Sequence, residues 1–206
     1  MTLSIWLTFV AAAVVIAATP GPGSVLVLAT GLRYRYTAVL KALVGLEIAL
    51  LVHLAIVAIG LGALLAASDA AFLALKVVGA VYLVWLGVQK WRAPVTAVDA
   101  SKVHLAATNH LFRQGLLVNL TNPKAVIFIA ALVPQFISLQ APQVPQYLIL
   151  GLTMVAVDVV IMTGYALLAG RFRDWFNNVR MVRLQNRVFG GMFVSAGALL
   201  AVSSRS

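Results

Sequence analysis

Ala17-Ala18-Thr19-Pro20-Gly21-Pro22-Gly23-Ser24 and Leu120-Thr121-Asn122-Pro123-Lys124 each interrupt a long apolar stretch, one in each half of the chain. Proline inside a helix removes a backbone hydrogen bond and clashes with the preceding turn. In hydrocarbon the freed groups are tolerated only where they face protein or a water-filled cavity. Matched interruptions in the two halves of an apolar chain point to a transporter's binding site. The two segments therefore imply an all-α, polytopic membrane protein whose site lies where two broken helices meet.

Composition agrees. Of 206 residues, 63% are hydrophobic and 10% charged, and the mean hydropathy is +1.03. Soluble domains are nearer half apolar and a quarter charged. Residues 1–32 carry no charged side chain. Cysteine is absent, which excludes disulfides, thiolate metal sites and thiol redox chemistry. At about 20 residues per span, the chain has room for six helices and one membrane domain, residues 1–206.

The apolar runs predict spans at about 3–29, 39–66, 70–89, 114–137, 146–169 and 187–203. The net charge of +10 is distributed by connection. Arg33, Arg35 and Lys41 fall between the first and second spans, and Lys90, Arg92, Lys102 and Arg113 between the third and fourth. Arg171, Arg173, Arg180, Arg183 and Arg187 fall between the fifth and sixth. The connections at 67–69 and 138–145 carry no Lys or Arg. The positive-inside rule puts the basic connections in the cytoplasm and both termini outside. A nucleic-acid partner is not implied. The N-terminal run lacks the basic start of a cleaved signal peptide, and five further spans follow it.

Three spans precede the polar 93–109 linker and three follow, entering from opposite sides. This predicts two inverted three-helix repeats, about 3–90 and 114–204, joined by a mobile cytoplasmic linker at about 91–113. The internal matches are in register. Ala17–Pro20 aligns with Leu120–Pro123, Lys76–Ala80 with Arg187–Gly191, and Gly45-Leu46 with Gly151-Leu152. An inverted repeat places the site at its interface, near the midplane.

Asn is a favoured N-cap, and Pro suits the first helical position, where its missing N–H costs nothing. Asn122-Pro123 reads that way, and Thr19-Pro20 reads the same, with Gly21, Pro22 and Gly23 irregular before a helix resumes near Ser24 or Val25. A helix that starts inside the membrane turns unpaired N–H groups and a positive dipole end into the cavity, which suits a carboxylate. Lys124 adds a positive charge for the same anion, and Asn119 lines the cavity or bonds to a neighbouring helix. Both prolines could instead merely kink continuous helices.

Four ionisable residues fall within spans: Glu47, His53, Lys76 and Asp158. Charges at bilayer depth pair or face water. Glu47 and Lys76 are the expected partners. Glu47 and Asp158 are candidates for binding a substrate ammonium and for carrying a proton, without an assignment between them. Lys76 could equally snorkel to the headgroups, and His53 could be a hydrogen-bonded packing residue. Gly79, Gly87, Gly190, Gly191 and Gly197 permit close helix approach, and allow a homodimer without requiring one. Trp91 and Trp175 suit interfacial anchors. There is no P-loop, no zinc-protease motif, no clustered metal ligands and no nucleophile with a nearby base. No cofactor is expected, and an embedded enzyme lacks its machinery.

Thr19-Pro20-Gly21-Pro22 resembles the signature that opens the LysE/RhtB family of bacterial amino-acid exporters. The segment from Gly115 to Ala125, followed by Pro134-Gln135-Phe136, is similar to that family's fourth span, and Phe72 to Gly87 to its third. The resemblance implies a six-helix, multi-pass protein of the bacterial inner membrane that exports amino acids or close derivatives by proton exchange. Substrate contacts are expected, from the chemistry of the two breaks, at Thr19, Pro20, Gly21, Pro22, Ser24, Asn119, Asn122, Pro123 and Lys124. The family commonly has Asn after this signature, where this chain has Gly23 and then Ser24. Export of a divalent cation through Glu47, His53 and Asp158 is the alternative within the same class.

Overall fold

The computed structural model describes residues 1–67, 69–93, 103–138, 140–169 and 178–202, and among them every regular element is helical. The order is α1 (Leu3–Ala18), α2 (Pro22–Arg33), α3 (Tyr36–Ala67), α4 (Asp69–Arg92), α5 (Leu111–Leu120), α6 (Pro123–Leu132), a short 3-10 turn (Val133–Phe136), α7 (Gln143–Leu167) and α8 (Val179–Val202). Tyr36–Gly60 and Gln143–Leu167 are each long and apolar enough to cross a membrane. The pairs α1/α2 and α5/α6 qualify when each is taken together, bent by 58° and 55° at their prolines. Ile59, Leu152 and Val160 are more than two-thirds exposed, so the outward surface is apolar and suited to lipid.

The breaks are extended backbone without left-handed residues. Thr19 closes α1 at φ −74°, ψ 121°, and Gly21 precedes α2 at φ −158°, ψ −176°. One expectation is corrected here: α2 resumes at Pro22, not at Ser24 or Val25, and Thr19 ends α1 rather than capping α2. Pro22 at the first helical position has φ already set and no N–H to leave unpaired. Ser24 Oγ then accepts from the Gly21 N–H at 2.8 Å. At the second break the expectation holds, with Asn122 as N-cap and its Oδ1 accepting from the Lys124 N–H at 3.1 Å.

Helix ends run beyond the apolar spans. Arg180 and Arg183, expected in a connection, lie on α8, because Asn178 Oδ1 accepts from the N–H groups of Arg180 and Met181 and starts that helix early. Lys90 and Arg92 fall in the last turn of α4. Most of the 93–109 linker, and Arg171, Arg173 and Trp175, lie outside the described residues.

Three helix pairs approach to backbone contact, α2 and α7 among them at Gly31 and Ala166. A Cβ on Gly115 would collide with the Ala42 carbonyl, and one on Gly45 with the Phe112 carbonyl, which locks α3 along α5. Gly87, Gly190 and Gly197 do the same for α4 and α8, so these glycines are used within the monomer. Trp91 Nε1 donates to the Arg187 carbonyl at 2.8 Å at one end of that pair. With α4 held chiefly on α8, the inward face of α3 meets α7 as well as α5. Arg33 at the end of α2, Lys41 and Arg113 near the starts of α3 and α5, and Lys90, Arg92 and Arg187 about the α4/α8 contact at Trp91 mark the basic end of the bundle; the end of α7 packs against the end of α2 there.

Two cores fill the bundle. At the basic end, Val27, Leu28, Val39, Leu43, Leu46, Met162 and Tyr165 pack together, with Val103 and Leu105 against them. Toward the other end, Phe9, Leu50, Leu54, Phe128, Ile129, Leu150 and Met154 form the second. Two glutamines pin the loops. Gln114 accepts from Ala106 N–H and donates to the His104 carbonyl, while Gln146 accepts from Ser138 N–H and donates to the Ser138 carbonyl.

Gly115→Ala or Gly45→Ala should destabilise the purified protein by at least about 1–3 kcal/mol, since backbone rather than a flexible side chain must yield. Gly164→Ala, with nothing within 4 Å of its Cβ position, should leave the melting temperature unchanged. Thermal unfolding in detergent checks both.

Candidate functional site

A helix break leaves four carbonyls and four N–H groups without intrahelical partners. At the first break the carbonyls are covered. The Val15 carbonyl accepts from Thr19 Oγ1 at 2.7 Å, and that of Ile16 from the Thr19 N–H at 3.0 Å. Lys124 Nζ donates to the Ile16 carbonyl at 2.9 Å and the Thr19 carbonyl at 2.7 Å. The Tyr165 hydroxyl donates to the Ala18 carbonyl at 2.6 Å. At the second break the Leu117 carbonyl accepts from Thr121, and that of Asn119 from the Asn122 N–H. His53 Nε2 lies 3.3 Å from the Leu120 carbonyl.

The bracing is crossed. Side chains of the second half, Lys124 and Tyr165, hold the first break, and His53 of the first half holds the second. The amide ends are treated differently. Gly23 and Ser24 head α2, and Ala125 heads α6, ahead of each helix's first internal bond. All three line one cavity. The breaks thus cover their negative ends with donors and leave their positive ends to the cavity.

That cavity, about 60 Å³, is lined also by Gly21, Asn119, Asn122, Lys124 and Asp158, and it lies between the two cores. Leu46 and Met162 of the basic-end core close it on one side, and Leu50, Phe128, Ile129 and Met154 on the other. At roughly 10–15 Å³ per water position it has room for about four to six waters. Asn119 and Asn122 are buried; Asn119 Nδ2 donates to the Leu46 carbonyl at 2.8 Å, and Asn122 Nδ2 to Asn119 Oδ1 at 3.3 Å. Each amide keeps one N–H beyond these bonds.

Asp158 faces both Lys124 and Glu47. Both Glu47 oxygens are buried without a hydrogen-bond donor among the described residues, as is His53 Nδ1. Glu47 lies beside the Asp158 carboxyl. The side chain of Lys76, its expected partner, lies outside the described residues. Thr19, Ser24, Asn119, Asn122 and Lys124 come together as expected, with Pro20 and Pro22 shaping the first break and Pro123 the second. Sequence reasoning missed Tyr165, Met154 and Met162. A tyrosine in an apolar span needs a partner for its hydroxyl, and that was the available signal. Among the described residues no three His, Cys, Asp or Glu side chains group to hold a metal ion.

A family model described as LysE type translocator matches residues 14–204. The chain belongs to that family. It is 41% identical over 202 residues, covering 98% of each chain, to a homoserine/homoserine lactone efflux protein of Salmonella typhimurium. An uncharacterized membrane protein of Vibrio cholerae is 42% identical over 205 residues, 98% of this chain and 99% of its own. A leucine efflux protein of Klebsiella pneumoniae is 30% identical over 201 residues, 95% of this chain and 94% of its own. No solved structure matches the chain. The family member described here is a multi-pass helical membrane protein.

Lys124→Met should lower the melting temperature of the substrate-free protein, because the Thr19 carbonyl loses its donor in an apolar setting. Losing a charge-assisted bond of about 1.5–3 kcal/mol corresponds to roughly 3–12 °C for a chain of this size. An unchanged melting temperature would leave Lys124 no structural part at the first break.

Proposed function

We propose that this chain is a secondary-active exporter of small neutral amino acids of the homoserine type, driven by proton exchange. The observation that carries the reading is one cavity that gathers both kinds of group: the residues heading α2 and α6 with the Lys124 ammonium, and the Asp158 carboxyl, behind which lies Glu47. A zwitterion matches both. Its carboxylate suits the amides of Gly23, Ser24 and Ala125 and the remaining N–H of Lys124. Its ammonium suits Asp158 and Glu47. The full-length likeness to a homoserine/homoserine lactone efflux protein supports the substrate class. The cavity supports it too: four to six waters occupy about 120–180 Å³ as liquid, the scale of a small amino acid.

In this reading α1/α2, α3, α4, α5/α6, α7 and α8 make six spans in two inverted three-helix repeats. The basic end faces the cytoplasm and both termini lie outside, in the bacterial inner membrane. The crossed bracing of the breaks suits an inverted repeat, since each half then holds the other's weakest point. Coupling follows from competition: a proton and a substrate ammonium claim the same two carboxyls. Loading cargo from the cytoplasm releases the proton inward, and discharge outside lets a proton return in its place. An imposed gradient, acidic outside, then drives export.

Cells fed homoserine-containing dipeptides should release homoserine faster with the protein than without it, and selectively over lysine or glutamate. Asp158→Asn and Glu47→Gln should each reduce that release at least about tenfold while the protein remains in the membrane. Normal release by both variants would remove the carboxyl pair from the mechanism.

A further inference from the structure

Tyr165 has a position that export alone does not explain. Its ring belongs to the basic-end core and is 5% exposed, packed with Val27, Leu28 and Met162. Its hydroxyl leaves that core to donate to the Ala18 carbonyl at 2.6 Å, at the last turn of α1. On α7 it follows the cavity-lining Asp158 by seven residues, two helical turns, with the cavity-lining Met162 between them. One side chain thus ties the first break to the plug that closes the cavity at its basic end.

The surroundings make this bond a hinge point. α2 and α7 touch backbone to backbone nearby, since a Cβ on Gly31 would lie 2.7 Å from the Ala166 carbonyl oxygen. Tyr36 Oη and Thr163 Oγ1, 2.9 Å apart, join the start of α3 to the same part of α7. Cargo entering from the basic end must part α7 from α2 and α3, because Leu46 and Met162 close the cavity there. A glycine contact can slide, and the Tyr36 bond is exposed and open to exchange with water. The Tyr165 bond is part-buried, on a side chain itself 5% exposed, and is less open to exchange with water.

We infer that Tyr165 is the latch of the gate at the basic end: its hydrogen bond to the Ala18 carbonyl keeps the cavity shut on that side until cargo loads. The inference rests on the export reading for its purpose but not for its geometry. Tyr165 is a positioning residue and needs no contact with substrate. Removing a bond of this kind shifts a two-state equilibrium by about three- to tenfold.

The natural lack of cysteine provides the assay, because Ala17→Cys places a single thiol on the cavity wall. Its labelling by a membrane-impermeant maleimide is measured from each face, in right-side-out and inside-out vesicles, with and without Tyr165→Phe. The expected result is labelling from the basic face accelerated about three- to tenfold, with the opposite face unchanged or slower. Unchanged labelling from both faces, or an equal rise from both, would overturn the latch. If Tyr165→Phe does not accumulate, Tyr165→Met keeps an apolar chain without a donor and is read by the same outcomes. The measurement needs no substrate. Failure of homoserine to slow labelling of the Tyr165 protein would instead count against the export reading.

Discussion

The structure depends on one constraint: backbone polar groups have no water to turn to inside a bilayer, so a helix broken there must find every partner within the protein. Two breaks, at residues 19–21 and 121–122, raise that demand twice. The carbonyl ends are met by Thr19, Lys124 and Tyr165 at one break and by Thr121, Asn122 and His53 at the other. The amide ends are left to the cavity. This asymmetry is the basis of the anion recognition proposed above.

Packing follows from the same arrangement. The breaks can brace each other only if the helices carrying Lys124, Tyr165 and His53 come close, and the glycines make that possible. Gly45 and Gly115 bring α3 onto α5, while Gly31 brings α2 onto α7. Without an apolar driving force between helices in lipid, such close contact and interhelical hydrogen bonding are what remain to hold a bundle together. Among the described residues, buried side-chain atoms without a hydrogen-bond partner are confined to Glu47, His53 Nδ1 and the Tyr147 hydroxyl. Leaving a buried polar group unpartnered is costly.

Local chemistry was legible in the sequence, and helix packing was not. Asn122, Pro123 and the two breaks could be read because capping and proline geometry are decided within a few residues. Membership of the translocator family was legible in the same short motifs. The start of α2 was misplaced by two or three residues, since Pro22 and Ser24 cooperate in a cap that composition alone does not announce. Which helices pack together is decided by contacts distant in sequence: Gly87, Gly190 and Gly197 hold α4 against α8, and α3 packs on α5 and α7. Gln114 and Gln146 look like ordinary polar residues in sequence, yet each folds a loop eight residues upstream.

The central claim is recognition of both ends of a zwitterion in one cavity, and binding to the purified wild-type protein tests it most directly. Thermal unfolding is followed with homoserine, with 3-aminopropan-1-ol, which lacks the carboxylate, and with 4-hydroxybutyrate, which lacks the ammonium. A ligand that binds only the folded state raises its stability in proportion to RT ln(1 + [L]/Kd). Stabilisation by homoserine, with neither fragment effective at the same concentration, is the expected result. Equal stabilisation by one fragment, or none by homoserine at saturating concentration, would contradict a site built from the two broken helices and the carboxyl pair.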